Sequence, residues 1–110
     1  MIIDYTSEFK QHLKHLRRRY RSIQQDLEEL LVHFKDGQVT GDQMLGMGHS
    51  VFKVRVKNSD AQKGKSGGYR VIYYLKGQDR VTLLAMYSKS DQSTISTEVV
   101  RRILGHYLNE

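Results

Sequence analysis

Cationic and apolar side chains alternate between residues 52 and 57. The six residues are, in order, Phe52, Lys53, Val54, Arg55, Val56 and Lys57. Because successive side chains of a strand point to opposite faces of a sheet, this alternation predicts a strand with one apolar face and one cationic face. A row of cations on a sheet face suits a polyanion, which is the working hypothesis for the function. The alternative is a solvated face whose charges discourage association between strand edges.

The chain as a whole is basic, with 18 Lys and Arg against 12 Asp and Glu in 110 residues, a net charge of +6. This charge points to nucleic acid, an anionic membrane or an acidic protein as a partner. The length predicts a single domain over residues 1–110. The chain has no cysteine, which fits a reducing cytoplasm. A membrane-spanning helix needs about 18 consecutive apolar residues, and every apolar run in this sequence is much shorter. We therefore expect a cytoplasmic protein with no membrane span, and the composition does not choose among the three classes of partner.

Apolar residues at helical spacing predict two helices in the first third of the chain. The first is an amphipathic helix from about Thr6 to Tyr20. The second begins at a capping box formed by Ser22 and Gln25 and ends near Gly37. Because the connection between them is short, we expect an antiparallel helical hairpin lying across the apolar face of a sheet.

The rest of the chain predicts a small sheet and a last helix. The expected elements are a short strand at residues 1–5, an irregular crossing at 38–49, strands near 50–57, 68–75 and 80–87, and a helix capped by Asp91 or Ser93. The order β-α-α-β-β-β-α indicates an α+β domain with a mainly antiparallel sheet. The helical hairpin lies on one face of this sheet, and the C-terminal helix completes the domain.

Cations and tyrosines are interleaved along the predicted strands. Nine cations lie between residues 53 and 91, and the Asp residues that oppose them there are Asp60, Asp79 and Asp91. Arg70 follows a glycine pair inside an otherwise apolar strand, so it needs an acidic side chain or a bound anion as its partner. Tyrosines such as Tyr73 could stack on unpaired bases, although tyrosines in strands more often fill a core.

Motifs for other chemistry are weak. The five histidines have no metal-ligand spacing, and single histidines on helix faces are the better interpretation. His12 and His15 lie three residues apart on one predicted helix and could share a cation. The GKSGG segment precedes a strand rather than a helix, unlike a phosphate-binding loop. We therefore expect no metal and no cofactor.

Several segments taken together resemble a known family. They are FKVRV, GKSGGYRVIYY, LLAMYSKSDQ and the closing VVRRIL. In their order they resemble the RelE/HigB group of bacterial toxins, within the RelE/ParE superfamily. The resemblance covers essentially the whole chain and is most specific in residues 52–74. It implies a RelE-like fold and a type II toxin–antitoxin toxin.

The resemblance also implies an activity, that of a ribosome-dependent mRNA interferase that inhibits translation. Its partners would be a cognate antitoxin, messenger RNA and the ribosomal A site. Cleavage in the family needs no metal, because a 2′-hydroxyl attacks the adjacent phosphate. This chemistry requires a base for the hydroxyl, cations for the charge that develops on the phosphate, and an acid for the leaving oxygen.

Carried over by position, the resemblance implies roles for three cations. Lys53 becomes the candidate base, because an ammonium can release a proton and a guanidinium does not. Arg55 and Arg70 become clamps for the phosphate and the transition state. We expect RNA contacts from Lys57 and Tyr73 and from the loop at residues 58–67. The cations of that loop are Lys63 and Lys65.

The chain departs from the family pattern at two positions. Ser90 follows Lys89 where members carry an arginine, and Ser96 stands where members place a catalytic tyrosine. Lys89 and Tyr87 are the nearest substitutes and are included among the catalytic candidates. His106 and Tyr107 in the last helix stay open as well, so the acid is unassigned.

Other functions stay open beside the nuclease. A ParE-like gyrase inhibitor would share the fold but is expected to lack the cations of the middle strands. A non-catalytic ribosome-binding or RNA-binding module would fit the two departures. A domain that only binds an acidic antitoxin segment would explain the charge equally well.

Overall fold

The computed structural model describes residues 1–61 and 67–109. Within these ranges the elements are β1 (Ile2–Tyr5), α1 (Ser7–Arg17), α2 (Ile23–Lys35), β2 (Asp42–Gln43), β3 (Val51–Val56), β4 (Tyr69–Lys76), β5 (Arg80–Ser88) and α3 (Thr97–Leu108). The strands form one sheet in the order β1-β5-β4-β3-β2, in which β1 and β5 are parallel and the other pairs are antiparallel. The predicted α+β class with a mainly antiparallel sheet is confirmed.

The helices α1 and α2 pack on one face of the sheet, called here the hairpin face. Their buried side chains form one apolar cluster with those of β3, β4 and β5. Thr6 fixes the start of α1, since its hydroxyl oxygen accepts from the Phe9 amide at 3.0 Å and donates to the Leu84 carbonyl at 2.8 Å. The predicted helical hairpin across the apolar side of the sheet is therefore confirmed.

The capping box predicted at Ser22 is wrong. The Ser22 side chain makes no capping hydrogen bond, and its backbone (φ −91°, ψ 9°) lacks the extended conformation of an N-cap. The Ser22 amide instead donates to an Asp60 carboxylate oxygen at 2.7 Å. Ser59, the residue before Asp60, donates from its amide and its hydroxyl to the carboxylate of Asp26 in α2, at 2.9 and 3.0 Å. A loop that is distant in sequence thus supplies the polar contacts at the start of α2.

The segment predicted as an irregular crossing contains β2, which pairs with β3 through Asp42↔Lys53 and Gln43↔Phe52. Two residues are too few to show a period in the sequence, which is why the strand was not predicted. Gly41 allows this pairing. A Cβ atom there would lie 2.6 Å from the Lys53 carbonyl oxygen, and its φ of +108° favours glycine.

The last helix, α3, packs on the opposite face of the sheet, called here the α3 face. Val100, Ile103 and Leu104 bury against side chains of β3, β4 and β5. Its N-cap is Ser96, whose hydroxyl oxygen accepts from the Val99 amide at 3.2 Å. The predicted caps Asp91 and Ser93 are therefore wrong, because the helix begins later.

Candidate functional site

A row of three side chains crosses the α3 face near the start of β4. The register pairs Arg55 of β3 with Arg70 of β4, and Arg70 with Tyr87 of β5. Directly opposed residues share a face and have Cβ atoms about 5 Å apart. We call Arg55, Arg70 and Tyr87 the cross-strand row. The register thus brings the Cβ atoms of two arginines together, and Arg55 also lines the groove between β3 and α2 that contains Asp26 and Glu29.

Arg70 is half-buried, but its partners differ from the acidic group or bound anion expected from the sequence. One guanidinium nitrogen donates to the carbonyls of Gly67 and Tyr69, at 3.3 and 3.2 Å. Among the described residues no carboxylate forms an ion pair with Arg70. Backbone carbonyls therefore hold the side chain while its charge stays available to an anion.

Lys53 lies next to the cross-strand row on the same face. It is half-buried, and its opposed residue on β4 is Ile72, which belongs to the cluster beneath α3. On its other side it is opposed by Asp42 of β2. Asp42 was not among the predicted site residues, because its strand was interpreted as a loop. The face therefore holds a carboxylate beside the candidate base.

The outer cations lie toward the far end of the sheet. Lys57 is exposed and lines a groove between β3 and α2 together with Asp26 and Glu29. The Lys89 amide donates to the carbonyl of Gly68, the residue before β4, at 2.9 Å, and its ammonium donates to the Ser93 carbonyl at 2.7 Å.

Two of the predicted RNA contacts, Lys63 and Lys65, lie outside the described residues.

The prediction that Tyr73 contacts RNA is wrong. Its side chain is fully buried on the hairpin face, where it packs against Phe34 and Phe52, and its hydroxyl donates to the Thr40 carbonyl. Burial raises the pKa of Tyr73 to about 12. A ring without accessible surface cannot stack on a base. Tyr73 follows Arg70 by three residues, so the alternation used for residues 52–57 already places the two side chains on opposite faces of β4.

Tyr87 is 5% exposed and lines a cavity of about 420 Å³ along the outer edge of β5. We call it the histidine cavity. Its lining includes His12 and His15 of α1, Met86 of β5, and Gln92, Thr94 and Ile95 of the β5–α3 connection. The sequence favours single histidines on a helix face, with a shared cation for His12 and His15 as the alternative, and it does not indicate a cavity. The feature that could not be found in the sequence is the packing of α1 over the edge of β5.

His12 is held in a defined orientation within this cavity. Its Nδ1 accepts from the Met86 amide at 3.2 Å, so the ring satisfies a backbone donor at the strand edge. Burial lowers the pKa of His12, and the neighbouring His15 lowers it further while Glu8 opposes this. A neutral ring whose Nδ1 accepts carries its proton on Nε2. His12 therefore presents a hydrogen-bond donor on its other side.

The two residues that depart from the family pattern lie close to the same cavity. Ser96 lines the cavity, and its hydroxyl oxygen caps α3 by accepting from the Val99 amide. The Ser90 hydroxyl lies 3.0 Å from that of Ser88 and 3.5 Å from that of Tyr20. Both serines therefore have structural contacts in this fold.

The structure does not bring His106 and Tyr107 to the cross-strand row. His106 pairs with Glu8 at 3.3 Å, and the Tyr107 hydroxyl donates to Asp4 at 3.0 Å. Arg80 donates to the same carboxylate at 2.6 Å and, as the largest cause, lowers the pKa of Asp4. Arg80 begins β5 and Tyr87 lies near its end, so roughly 20 Å of strand separates the two places.

In residues 1–61 and 67–109, no three His, Asp or Glu side chains lie close enough together to hold a metal ion. None of the helices in these ranges combines the length and the apolar character that crossing a bilayer requires.

Comparison with known proteins gives one family. The family described as the RelE toxin of the RelE/RelB toxin–antitoxin system matches residues 8–107. No curated protein matches the chain. The matched range runs from the first turn of α1 into the last turn of α3 and includes the cross-strand row. The chain therefore belongs to the RelE toxin family.

Proposed function

We propose that this toxin is a ribosome-dependent endoribonuclease that cleaves messenger RNA and so inhibits translation. The observation that carries the proposal is the opposed pair Arg55 and Arg70, with Lys53 beside it on the same face. Family membership supports a toxin that is neutralised by a partner antitoxin. Because the substrate is translated message, the proposed location is the cytoplasm.

The proposed reaction uses these cations in separate roles. Lys53 takes the proton of a 2′-hydroxyl, whose oxygen then bonds to the adjacent phosphorus. The bond from phosphorus to the 5′-oxygen breaks, and that oxygen takes up a proton, which leaves a cyclic phosphate and a 5′-hydroxyl. Arg55 and Arg70 stabilise the charge that develops on the phosphate oxygens. Tyr87 and Lys89 are the nearest predicted candidates for the proton donor.

The test is to express the chain alone in a bacterium and map the 5′ ends of its messenger RNA, beside the variant Arg70→Ala. We expect growth arrest and new cuts in translated messages with the unmodified chain. The variant should cut at least about a hundredfold more slowly, because it lacks a donor to the developing charge. Arg102→Ala is the matched control, since Arg102 is exposed on α3, and it should cut like the unmodified chain.

Each other outcome points to a different function. Arrest without cuts would favour gyrase inhibition, as in the ParE branch, or blockade of the ribosome. Binding to ribosomes without cleavage would identify a non-catalytic module, and the absence of both would leave an antitoxin-binding domain. Equal cutting by the Arg70→Ala and Arg102→Ala variants would remove Arg70 from the mechanism.

A further inference from the structure

Single-stranded RNA is commonly held by stacking its bases on aromatic rings. The tyrosines on β4 and β5 that were predicted to do this are buried, with exposures of 0% for Tyr69 and Tyr73, 8% for Tyr74 and 5% for Tyr87. The α3 face therefore offers cations for phosphates but little accessible ring surface for bases. If the RNA backbone binds on the α3 face, the bases must contact a different part of the protein.

We propose that the histidine cavity is a nucleobase-binding site that receives one base of the RNA whose backbone lies on the cross-strand row. This inference rests on the proposed function, because it names a further part of the same substrate. The cavity would bind single-stranded RNA, since only an unstacked base could enter it.

Position is the first argument for this site. Tyr87 belongs both to the cross-strand row and to the wall of the cavity, so the two regions meet at one side chain. The cavity wraps around the edge of β5, beyond the end of the short strand β1. A nucleotide with its phosphate near Arg70 could therefore direct its base over Tyr87 toward α1.

The lining is the second argument, because it suits a flat and polar ring. Leu16, Met86, Ile95 and Val99 give the cavity apolar walls, and the imidazoles of His12 and His15 provide ring surfaces. Histidine is among the side chains on which unpaired bases stack. The volume of about 420 Å³ is within the range of small-ligand sites.

Hydrogen-bonding groups along the rim are the third argument. His12 carries its proton on Nε2, because its Nδ1 accepts from the Met86 amide. Gln92 and Thr94 are exposed, and the Gln92 amide nitrogen donates to the Thr94 carbonyl at 2.9 Å, which fixes the side-chain orientation. The Gln92 amide oxygen then remains as an acceptor. A donor and an acceptor in fixed places can discriminate between base edges.

Charge favours a base over an anionic group as the occupant. Among the described residues that line the cavity the carboxylate is Asp91, which is paired with Arg19 at 2.6 Å. The same described lining contains no Lys or Arg, and the pKa of His12 is lowered by burial. The cations that suit phosphate lie on the sheet instead. The arrangement thus separates a place for the backbone from a place for the base.

The experiment uses the Arg70→Ala variant, so that RNA is not cut, and records the imidazole signals by NMR while a six-nucleotide RNA is added. We expect the His12 and His15 signals to shift and the His106 signal to stay in place. In the same background, His15→Leu should weaken binding of this RNA by at least about fivefold, because a stacking surface is lost. Gln92→Ala should also weaken it, because the amide acceptor is lost. His106→Leu is the matched control and should bind as before, because His106 lies beside Glu8.

The outcomes separate this inference from the nuclease proposal. RNA-dependent shifts at His12 and His15, together with an unmodified chain that cuts no message in the bacterium, would support the base site and reject the nuclease. Conversely, cutting that depends on Arg70 but keeps the same base preference and affinity in His15→Leu and Gln92→Ala would reject the base site alone. Equal losses in His15→Leu and His106→Leu would also overturn it.

Discussion

Tyr69 and Tyr73 occupy similar places on β4 but differ in what their hydroxyl groups reach. Both side chains are fully buried on the hairpin face. The Tyr73 hydroxyl donates to the Thr40 carbonyl, whereas the Tyr69 hydroxyl has no hydrogen-bond partner within residues 1–61 and 67–109. A buried hydroxyl that is bonded contributes to stability, and one that is not bonded costs free energy. The two residues therefore form a matched pair.

Replacing each tyrosine by phenylalanine should have opposite effects on the free energy of unfolding. Tyr73→Phe loses a buried hydrogen bond and leaves the Thr40 carbonyl without it, so we expect a loss of about 1 kcal/mol. Tyr69→Phe removes an unbonded polar atom and should leave the stability unchanged or raise it. Urea unfolding of both variants measures the difference. Equal losses would show that the two hydroxyls have equivalent surroundings.

At the scale of single elements, the two N-terminal helices begin in different ways. The Thr6 side chain caps α1 and also bonds to β5, while the Ser22 side chain makes no capping bond at the start of α2. Thr6→Ala should therefore lower the free energy of unfolding by about 1–2 kcal/mol, as expected for a lost cap. Ser22→Ala should change it by less than about 0.5 kcal/mol. Thermal unfolding of the two variants tests this, and a comparable loss in Ser22→Ala would contradict it.

The elements that could be predicted from the sequence are those with several turns or periods. Alternation over residues 52–57 placed Lys53 and Arg55 on one face, and the structure has the same alternation in β3. The strand β2 was missed because two residues carry no period. The cap at Ser22 was misplaced because the start of α2 takes its polar contacts from a distant loop, as Asp60 shows for the Ser22 amide. The cap of α3 was misplaced because this helix begins later than predicted, after Ser96.

The site was predictable only in its residue types. The sequence shows that Arg70 and Tyr73 share a strand and point to opposite faces, but tertiary packing decides which of these faces the helical hairpin covers. The pairing of Arg55 with Arg70 depends on the register of β3 against β4, and alternation within each strand does not fix that register. The histidine cavity depends on the packing of α1 against β5, and no local pattern encodes it.

At the scale of the whole molecule, the charge of +6 should make RNA binding depend strongly on salt. With about four phosphate contacts, the affinity for single-stranded RNA should fall about 50-fold between about 50 and about 200 mM salt. Replacing the three alternating cations of β3 and the residue after it by glutamine should reduce this slope: Lys53, Arg55 and Lys57. The same replacement at Lys35, Lys76 and Arg102, which are exposed elsewhere, removes equal charge and should leave the slope in place. Equal slopes in both variants would indicate a response to net charge alone.

The pairing of β1 with β5 has a consequence for how the protein is made. Ile2 to Tyr5 pair with residues 80–83, so during synthesis β1 has no partner until β5 has been made. The cross-strand row is likewise incomplete until Tyr87 of β5 has been made, and α3, which packs on the same face of the sheet, follows β5 in the chain. Contacts of such long sequence separation form late, because the intervening chain must be ordered first. On the proposed function, a growing chain therefore lacks the surface that would attack a message until β5 and α3 have been added.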